Sequence, residues 1–415
     1  MILNKNKKLV LFGAGKIGRS FIGQLFSRGG YEVVFIDIDQ QIIEELNRRK
    51  TYNVVIKSEK EELIPIRNVR GVLSTDERKV IDEIATASIM AISVGSNVMA
   101  KIAQIVAKGL LKRYESDKDN ALDIILAENL RDAAPYFREN LIPFLPENYP
   151  FDEMVGLIET SIGKMVPIML KKDMDEDILQ VFAEPYNTLI LDRLAFKNPI
   201  PDIEGLAPKE NMKAWVDRKL FIHNLGHAAT AYIGHVYNPG YIYIYEPLAV
   251  PEVYHVVRKT MLCAANILIK KYPDEFTQAS LTEHIDDLLS RFQSISLGDT
   301  IYRVGCDLTR KLGTDDRIVG VIKTAMQLEM NYNDILFPLV CGFNFKAKDE
   351  SGNGFPGDAE FIMNLEIGIE NILKKVCEFN PAQIRQIYQE INEIQVEIGN
   401  RNLSNFFDLK LEIQD

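Results

Sequence analysis

The chain is poor in the residues that disulfide-stapled or metal-centred proteins rely on. Only four cysteines, Cys263, Cys306, Cys341 and Cys377, are scattered through 415 residues. They form no CxxC pair and have no histidine at zinc-finger spacing, so neither a disulfide framework nor a metal site is expected. They read as reduced thiols, small buried hydrophobes in a cytoplasmic protein. Long apolar runs are missing too, and none approaches the ~18 residues needed to cross a bilayer. The start, MILNKNKKLVLFGAG, imitates a signal peptide only briefly. Its apolar run ends at glycines and the charged Lys16 and Arg19, so it reads as a first strand. Basic charge is in deficit, 48 Lys and Arg against 59 Asp and Glu, a net −11. That removes the electrostatic footprint a phosphate backbone demands and argues against nucleic acid as the main partner. Neither an internal repeat nor a low-complexity tract is present.

What is there is an ordinary globular composition, 47% hydrophobic, long enough at roughly 150 residues per domain for two or three domains. In the first half short β-rich runs alternate with helical patterns, the mark of a parallel α/β sheet. Candidate strands are 8–12, 32–36, 88–93 and 122–126. Residues 53–74, rich in Val and Ile, suggest an antiparallel ribbon inserted into the sheet, and further strands at 154–159 and 178–184 would extend it. Pro199, Pro201 and Pro208, with Gly205 between them, mark the domain boundary. The expected organisation is a Rossmann-like domain over 1–205 with an extended, partly antiparallel sheet, then a mainly α-helical domain over 206–415. Helices are expected at 215–232, 251–271, 281–291, 317–329, 358–377 and 381–398.

A strand running into Gly13-Ala14-Gly15-Lys16-Ile17-Gly18 gives G-x-G-x-x-G in the context that makes it informative, before a helix and answered by Asp37 at the end of the next strand. Gly13 permits the tight turn, Gly15 lets backbone approach a pyrophosphate, and Gly18 allows close helix–strand packing, while the helix N-terminus offers free N–H groups to phosphates. The Asp37 carboxylate accepts from a ribose 2′-hydroxyl and repels a 2′-phosphate, so NAD(H) is favoured over NADP(H). Ser93, Val94 and Gly95 close another strand at the same edge and are placed beside the cofactor.

The segment from Lys219 to His227 carries the second set of polar residues. On an α-helical wheel of about 100° per residue, Lys219 at 0°, His223 near 40°, His227 near 80° and Asn224 near 140° share a wedge opposite Phe221, Leu225 and Ala228. That wedge fits a catalytic face, and it equally fits a helix whose Lys and His meet water. A lysine desolvated beside a cationic cofactor can serve as general base for a hydroxyl proton, and asparagine amides can hold a developing oxyanion. Asn129, past the end of the 122–126 strand, is a candidate partner for Asn224.

With these residues in view, Lys219-x₄-Asn224-x₂-His227 resembles the signature of the polyol-specific long-chain dehydrogenases, the mannitol dehydrogenase family. The opening Phe12-Gly13-Ala14-Gly15-Lys16-Ile17-Gly18-Arg19-Ser20-Phe21-Ile22-Gly23 is similar to its branch acting on a phosphorylated polyol. Further likeness lies in Ala127-Glu128-Asn129, Arg218-Lys219-Leu220-Phe221, Gly226-His227-Ala228, Arg310-Lys311-Leu312 and Asp316-Arg317. The resemblance implies a metal-independent, NAD-linked interconversion of mannitol 1-phosphate and fructose 6-phosphate in a site between the domains. Lys219 would be general base, Asn129 and Asn224 would hold the reacting oxygen, and His227 would orient substrate hydroxyls. Arg310, with Lys311 or Arg303, would meet the phosphate. The implied partner is a small molecule, with no membrane, in a monomer or small homo-oligomer. The chain departs from the family pattern at Gly163-Lys164, where an Asp-Arg pair is usual, and at His223, which is either a neighbour of Lys219 or a solvent-facing residue. The alternatives are a dehydrogenase of another polyol or sugar acid, and an NAD(H)-binding sensor without turnover.

Overall fold

The structure, a computed structural model, describes residues 7–58, 60–169, 171–400 and 404–407; the basic start up to residue 6 lies outside them. The chain divides into two units between Val216 and Asp217. In the first unit, eight strands form one sheet in the order β11-β10-β8-β7-β6-β1-β2-β5. These are β1 (Lys8–Phe12), β2 (Glu32–Asp37), β5 (Val69–Leu73), β6 (Ile89–Ile92), β7 (Leu122–Leu126), β8 (Val155–Ile162), β10 (Leu189–Asp192) and β11 (Leu206–Lys209).

The alternation of side chains along each strand builds the core on both faces. Leu9, Leu11, Val33, Phe35, Ile89, Ala91 and Ile125 enter one buried cluster. Their neighbours Val10, Phe12, Val34, Ile36, Met90, Ile92, Ile124 and Leu126 enter the other. A strand buried on both sides reads as a continuous apolar run, which is why β1, β6 and β7 stand out in the sequence. From β5 to β8 all pairings are parallel; β10 runs antiparallel to β8, and β11 pairs parallel with β10. The sheet is thus extended and partly antiparallel, as expected.

Two expectations need correction. The ribbon placed within the sheet is instead a hairpin of β3 (Thr51–Ile56) and β4 (Glu62–Arg67) in a separate three-stranded sheet, β4-β3-β9, while β5 pairs parallel with β2. The 178–184 segment does not extend the main sheet: only β9 (Val181–Ala183) is extended, and it pairs parallel with β3. Alternation specifies that a strand exists and which face is buried but not its partner. Pro65, which donates no ladder hydrogen bond, sits in β4, an edge strand of the small sheet. The division after Val216, past the break expected at residue 205, follows from β11, whose Leu206–Lys209 register lies on β10.

The second unit is built of helices, chiefly Met212–Arg218 running in from the first unit, Leu225–Tyr237, Pro251–Lys271, Gln278–Phe292, Val319–Gln327, Asn333–Phe343 and Pro381–Gly399. The helix expected over 358–377 is broken at Gly368, whose φ of 142° no other residue adopts readily. The Asn333–Phe343 helix was not expected. Ile335 through Phe343 are all buried, so it has no polar stripe to give it a period, and Pro338 lies inside it. Among the described residues no helix is long and apolar enough to cross a membrane.

Candidate active site

At the carboxyl ends of β1, β6 and β7 the loops are knitted in steps. The Gly13 N–H donates to the Ile36 carbonyl at 2.9 Å, Ser93 N–H to Phe12 at 2.8 Å and Ala127 N–H to Ile92 at 2.8 Å. Gly13 has φ of 100°, and a Cβ there would stand 2.1 Å from the Ser93 carbonyl oxygen. At Gly18 a Cβ would stand 2.1 Å from the Gly13 carbonyl oxygen. Only glycine permits this turn to touch the neighbouring loop and the following helix at once. Gly15, by contrast, faces open space. It leaves the backbone accessible where a pyrophosphate would approach, with the exposed Lys16 beside it.

Asp37 ends β2 with Oδ2 accepting the Ala14 N–H at 2.6 Å and Oδ1 accepting the Asp39 N–H at 3.0 Å. Two oxygens offer about four lone-pair sites, so the carboxylate holds the glycine turn and retains capacity for ribose hydroxyls. The residues therefore fit a dinucleotide. Ile17 leads not into a regular α-helix but into a π turn over Gly18–Gly23. Arg19 is buried on that turn, donating to the carbonyls of Ile178 at 2.9 Å and Leu179 at 2.7 Å.

Ser93, Val94 and Gly95 lie on the neighbouring loop, and the Val94 and Gly95 N–H groups both donate to Oε1 of Glu128, at 2.6 and 2.8 Å. Asn129 is exposed next to that buried glutamate. At the family departure, Gly163 has room: a Cβ would meet only the Tyr186 ring, at 3.6 Å. Lys164 is buried, with Nζ donating to Asn187 Oδ1 at 2.8 Å and lying 5.2 Å from the Phe21 ring centre.

In the second unit Lys219–Asn224 is also a π turn, its end marked by the Leu225 N–H reaching back to the Leu220 carbonyl. The wheel of 100° steps therefore fails across these residues. In an i→i+5 helix of about 4.4 residues per turn each step is near 80°, which brings Asn224 to roughly 50° from Lys219 instead of 140°. The wide turn gathers base candidate and amide candidate onto one face. Partly buried Lys219 is pushed down to about 8 by desolvation and, secondarily, by the Arg317 charge.

His227 is stacked on Phe292, ring centres 4.7 Å apart at 13°, and its Nε2 lies 3.1 Å from Asp299 Oδ2. Burial lowers its basicity and the Asp299 bond opposes the fall. A neutral His227 donates through Nε2–H, leaving Nδ1 as an acceptor. Burial pushes Asp299 up, but its contacts with His227 and Arg303 carry it below the usual carboxylate range.

Arg303 pairs with the same Asp299. Buried Lys311 donates to the carbonyls of Val304 at 2.7 Å and Arg303 at 3.4 Å, and burial brings it to about 8. Arg310, about half exposed, reaches Asp307 at 2.5 Å and Asp316 at 3.5 Å. The structure thus links His227, Asp299, Arg303 and Lys311 in one network and turns the Arg310 guanidinium to another pair of carboxylates. His223 faces no solvent: it is buried, 5.6 Å from the Phe292 ring and 6.3 Å from His227, and held well below its ordinary basicity by burial and then by Arg291. Asp299 and Phe292 were not singled out from the sequence, and Glu128 was quoted only within Ala127-Glu128-Asn129, without a role. Each acts on a residue distant along the chain or through backbone amides, and neither relation leaves a spacing to read.

Residues 7–205 match the mannitol dehydrogenase Rossmann domain and residues 211–395 the mannitol dehydrogenase C-terminal domain. The chain belongs to the mannitol dehydrogenase family. Like its relatives it is a dehydrogenase. It is 33% identical over 348 residues to a mannitol-1-phosphate 5-dehydrogenase of Lactococcus lactis subsp. lactis (strain IL1403), and 32% identical to one of Lactococcus lactis subsp. cremoris (strain MG1363). Each match covers 83% of this chain and 88% of the relative. Solved structures share the fold. A D-sorbitol dehydrogenase in substrate-free form aligns with a TM-score of 0.80 at 16% identity over 97% of this chain and 95% of its own. A Pseudomonas fluorescens mannitol 2-dehydrogenase with NAD and D-mannitol aligns at 0.71 and 15%, over 98% and 95%.

Proposed function

We propose that this dehydrogenase interconverts mannitol 1-phosphate and fructose 6-phosphate with NAD(H), with Lys219 as general base and no metal in the chemistry. The observation that carries the reading is Lys219 brought to about 8 on a π turn that turns Asn224 to the same face. A lysine of ordinary basicity is almost wholly ammonium at neutral pH and takes no proton. The relatives' substrate supports the phosphorylated polyol, and the glycine turn with Asp37 supports NAD over NADP.

In the oxidative direction the neutral Lys219 amine accepts the hydroxyl proton. The amide N–H groups of Asn129 and Asn224 donate to the oxygen as its charge grows, the use to which preorganised donors are best put. His227, its Nε2 fixed by Asp299, offers Nδ1 to a second substrate hydroxyl. The turn 13–18, Asp37 and the loop 93–95 would hold NAD⁺, which would accept the hydride from the substrate carbon. In the reductive direction the Lys219 ammonium returns the proton to the carbonyl oxygen. Arg310, Lys311 and Arg303 are the candidates for the phosphate, and the half-exposed Arg303 and Arg310 reach solvent directly.

Gly163 favours a second reading. The carboxylate usual at that position is absent, which alters what faces a substrate hydroxyl and suits another polyol, ketose or sugar acid. NADH oxidation with fructose 6-phosphate beside fructose, fructuronate and tagaturonate decides between them. Selective turnover of fructose 6-phosphate upholds the proposal; turnover confined to an unphosphorylated ketose or a uronate overturns its substrate.

A further inference from the structure

Glu128 is one of several buried carboxylates that the chemistry above leaves without a task, and it lies beside Asn129. It is 8% exposed and stands two residues beyond β7, on a turn whose start is pinned twice: the Ala127 N–H donates to Ile92 at 2.8 Å, and the Leu126 carbonyl accepts the Thr160 hydroxyl at 2.8 Å. Both Val94 and Gly95 give their amide N–H to its Oε1. Gly95 has φ of 90° and stands immediately before the Ser96–Ser116 helix with no side-chain cap. The Ser93 carbonyl lies against Gly13 so closely that a Cβ would not fit. A continuous run of contacts therefore leads from the glycine turn through Ser93 and Gly95 to Glu128, and by one peptide bond to Asn129.

We propose that Glu128 is a positioning residue: its carboxylate fastens the 93–95 cofactor loop to the turn bearing Asn129, so that cofactor seating and the placement of the Asn129 amide are set together. A buried carboxylate is costly, and burial does raise Glu128 against the two amide bonds that lower it. Two charge-assisted amide bonds to one oxygen are what holds it there. Its neighbour in sequence is the residue assigned to the reacting oxygen. A carbonyl at the same place accepts the same two N–H groups, so Glu128→Gln keeps the link and Glu128→Ala removes it.

The proposal rests on the dehydrogenase reading for its catalytic half, and its cofactor half is tested without any substrate. NADH binding followed by fluorescence titration weakens on the order of tenfold in Glu128→Ala, the scale of losing hydrogen bonds to a charged group, and returns to within about threefold in Glu128→Gln. With the ketose the wild type reduces, Glu128→Ala lowers kcat as well as raising KM for NADH. The loss of kcat shrinks to about twofold when Asn129→Ala is already present, because the two act as one unit. Purely structural damage would lower Tm and leave kcat and KM of the folded enzyme near wild type; that outcome overturns the proposal. So does a Glu128→Gln variant as impaired as Glu128→Ala, or full additivity with Asn129→Ala. If wild type reduces no ketose, the proposed function fails while the NADH titration still decides the cofactor link.

Discussion

Replacing or titrating Lys219 tests the chemistry most directly. Lysine in water ionises near 10.5, and here burial, reinforced by the Arg317 charge, brings it to about 8. At pH 7 the fraction present as free amine rises from about 0.03% to about 9%, a gain of roughly 300-fold in competent base. Polyol oxidation therefore climbs about tenfold per pH unit below 8 and levels above it. Ketose reduction, which needs the ammonium, is level below 8 and falls above. Lys219→Arg keeps the positive charge but does not release a proton in this range, so oxidation drops by 10² to 10⁴, the usual worth of a general base, while NADH still binds. The assay is kcat/KM for oxidation and reduction from pH 6 to 10, with NADH affinity measured alongside. A profile flat across that range, a break well below 7, or a Lys219→Arg variant within tenfold of wild type refutes the assignment.

Gly13→Ala meets the Ser93 carbonyl at 2.1 Å on a backbone of φ 100°; Tm falls by several degrees in thermal melts and NADH binding is lost with it. Asp299→Asn removes the charge that holds His227 and Arg303, so KM for the polyol rises about tenfold in steady-state assays while NADH affinity holds. Asp37→Ser relaxes the preference for NADH over NADPH by at least tenfold, measured as a ratio of kcat/KM values, because the repulsion of a 2′-phosphate disappears. Gly163→Asp has space for its Cβ beside Tyr186; it shifts the substrate ratio between phosphorylated and free ketoses in steady-state assays, with Tm within about 2 °C in thermal melts.

The turn proposed to hold the nucleotide stands out in the sequence because its signals are local. A turn that must touch two neighbours demands glycine at fixed offsets, and an apolar strand before it and an acid after it complete the pattern. The three residues proposed for catalysis stand out in the sequence as residues but not in their geometry. The angles assigned to Lys219 and Asn224 assumed a uniform α-helix, and an i→i+5 turn over Lys219–Asn224 departs from that without any compositional mark. Strand β9 was found but assigned to the wrong sheet, since its partner β3 lies over a hundred residues away. The Asn333–Phe343 helix escaped because complete burial erases the alternation of polar and apolar that reveals a helix. Glu128 and Asp299 bind backbone amides or a distant ring, and such work leaves nothing in residue order.

The π turn at Lys219–Asn224 also bears on what changes the segment can absorb. A turn of this kind is an α-helix carrying one surplus residue, set between Met212–Arg218 and the largely buried Leu225–Tyr237. Removing one residue between Lys219 and Asn224 would leave the two four steps of about 100° apart in a uniform helix, about 40° from each other, so they would still share a face. Tightening the run to a regular helix with all its residues kept would instead set Lys219 and Asn224 about 140° apart. The five-residue spacing and the wide turn are therefore matched to each other: this spacing brings the pair onto one face only while the turn stays wide.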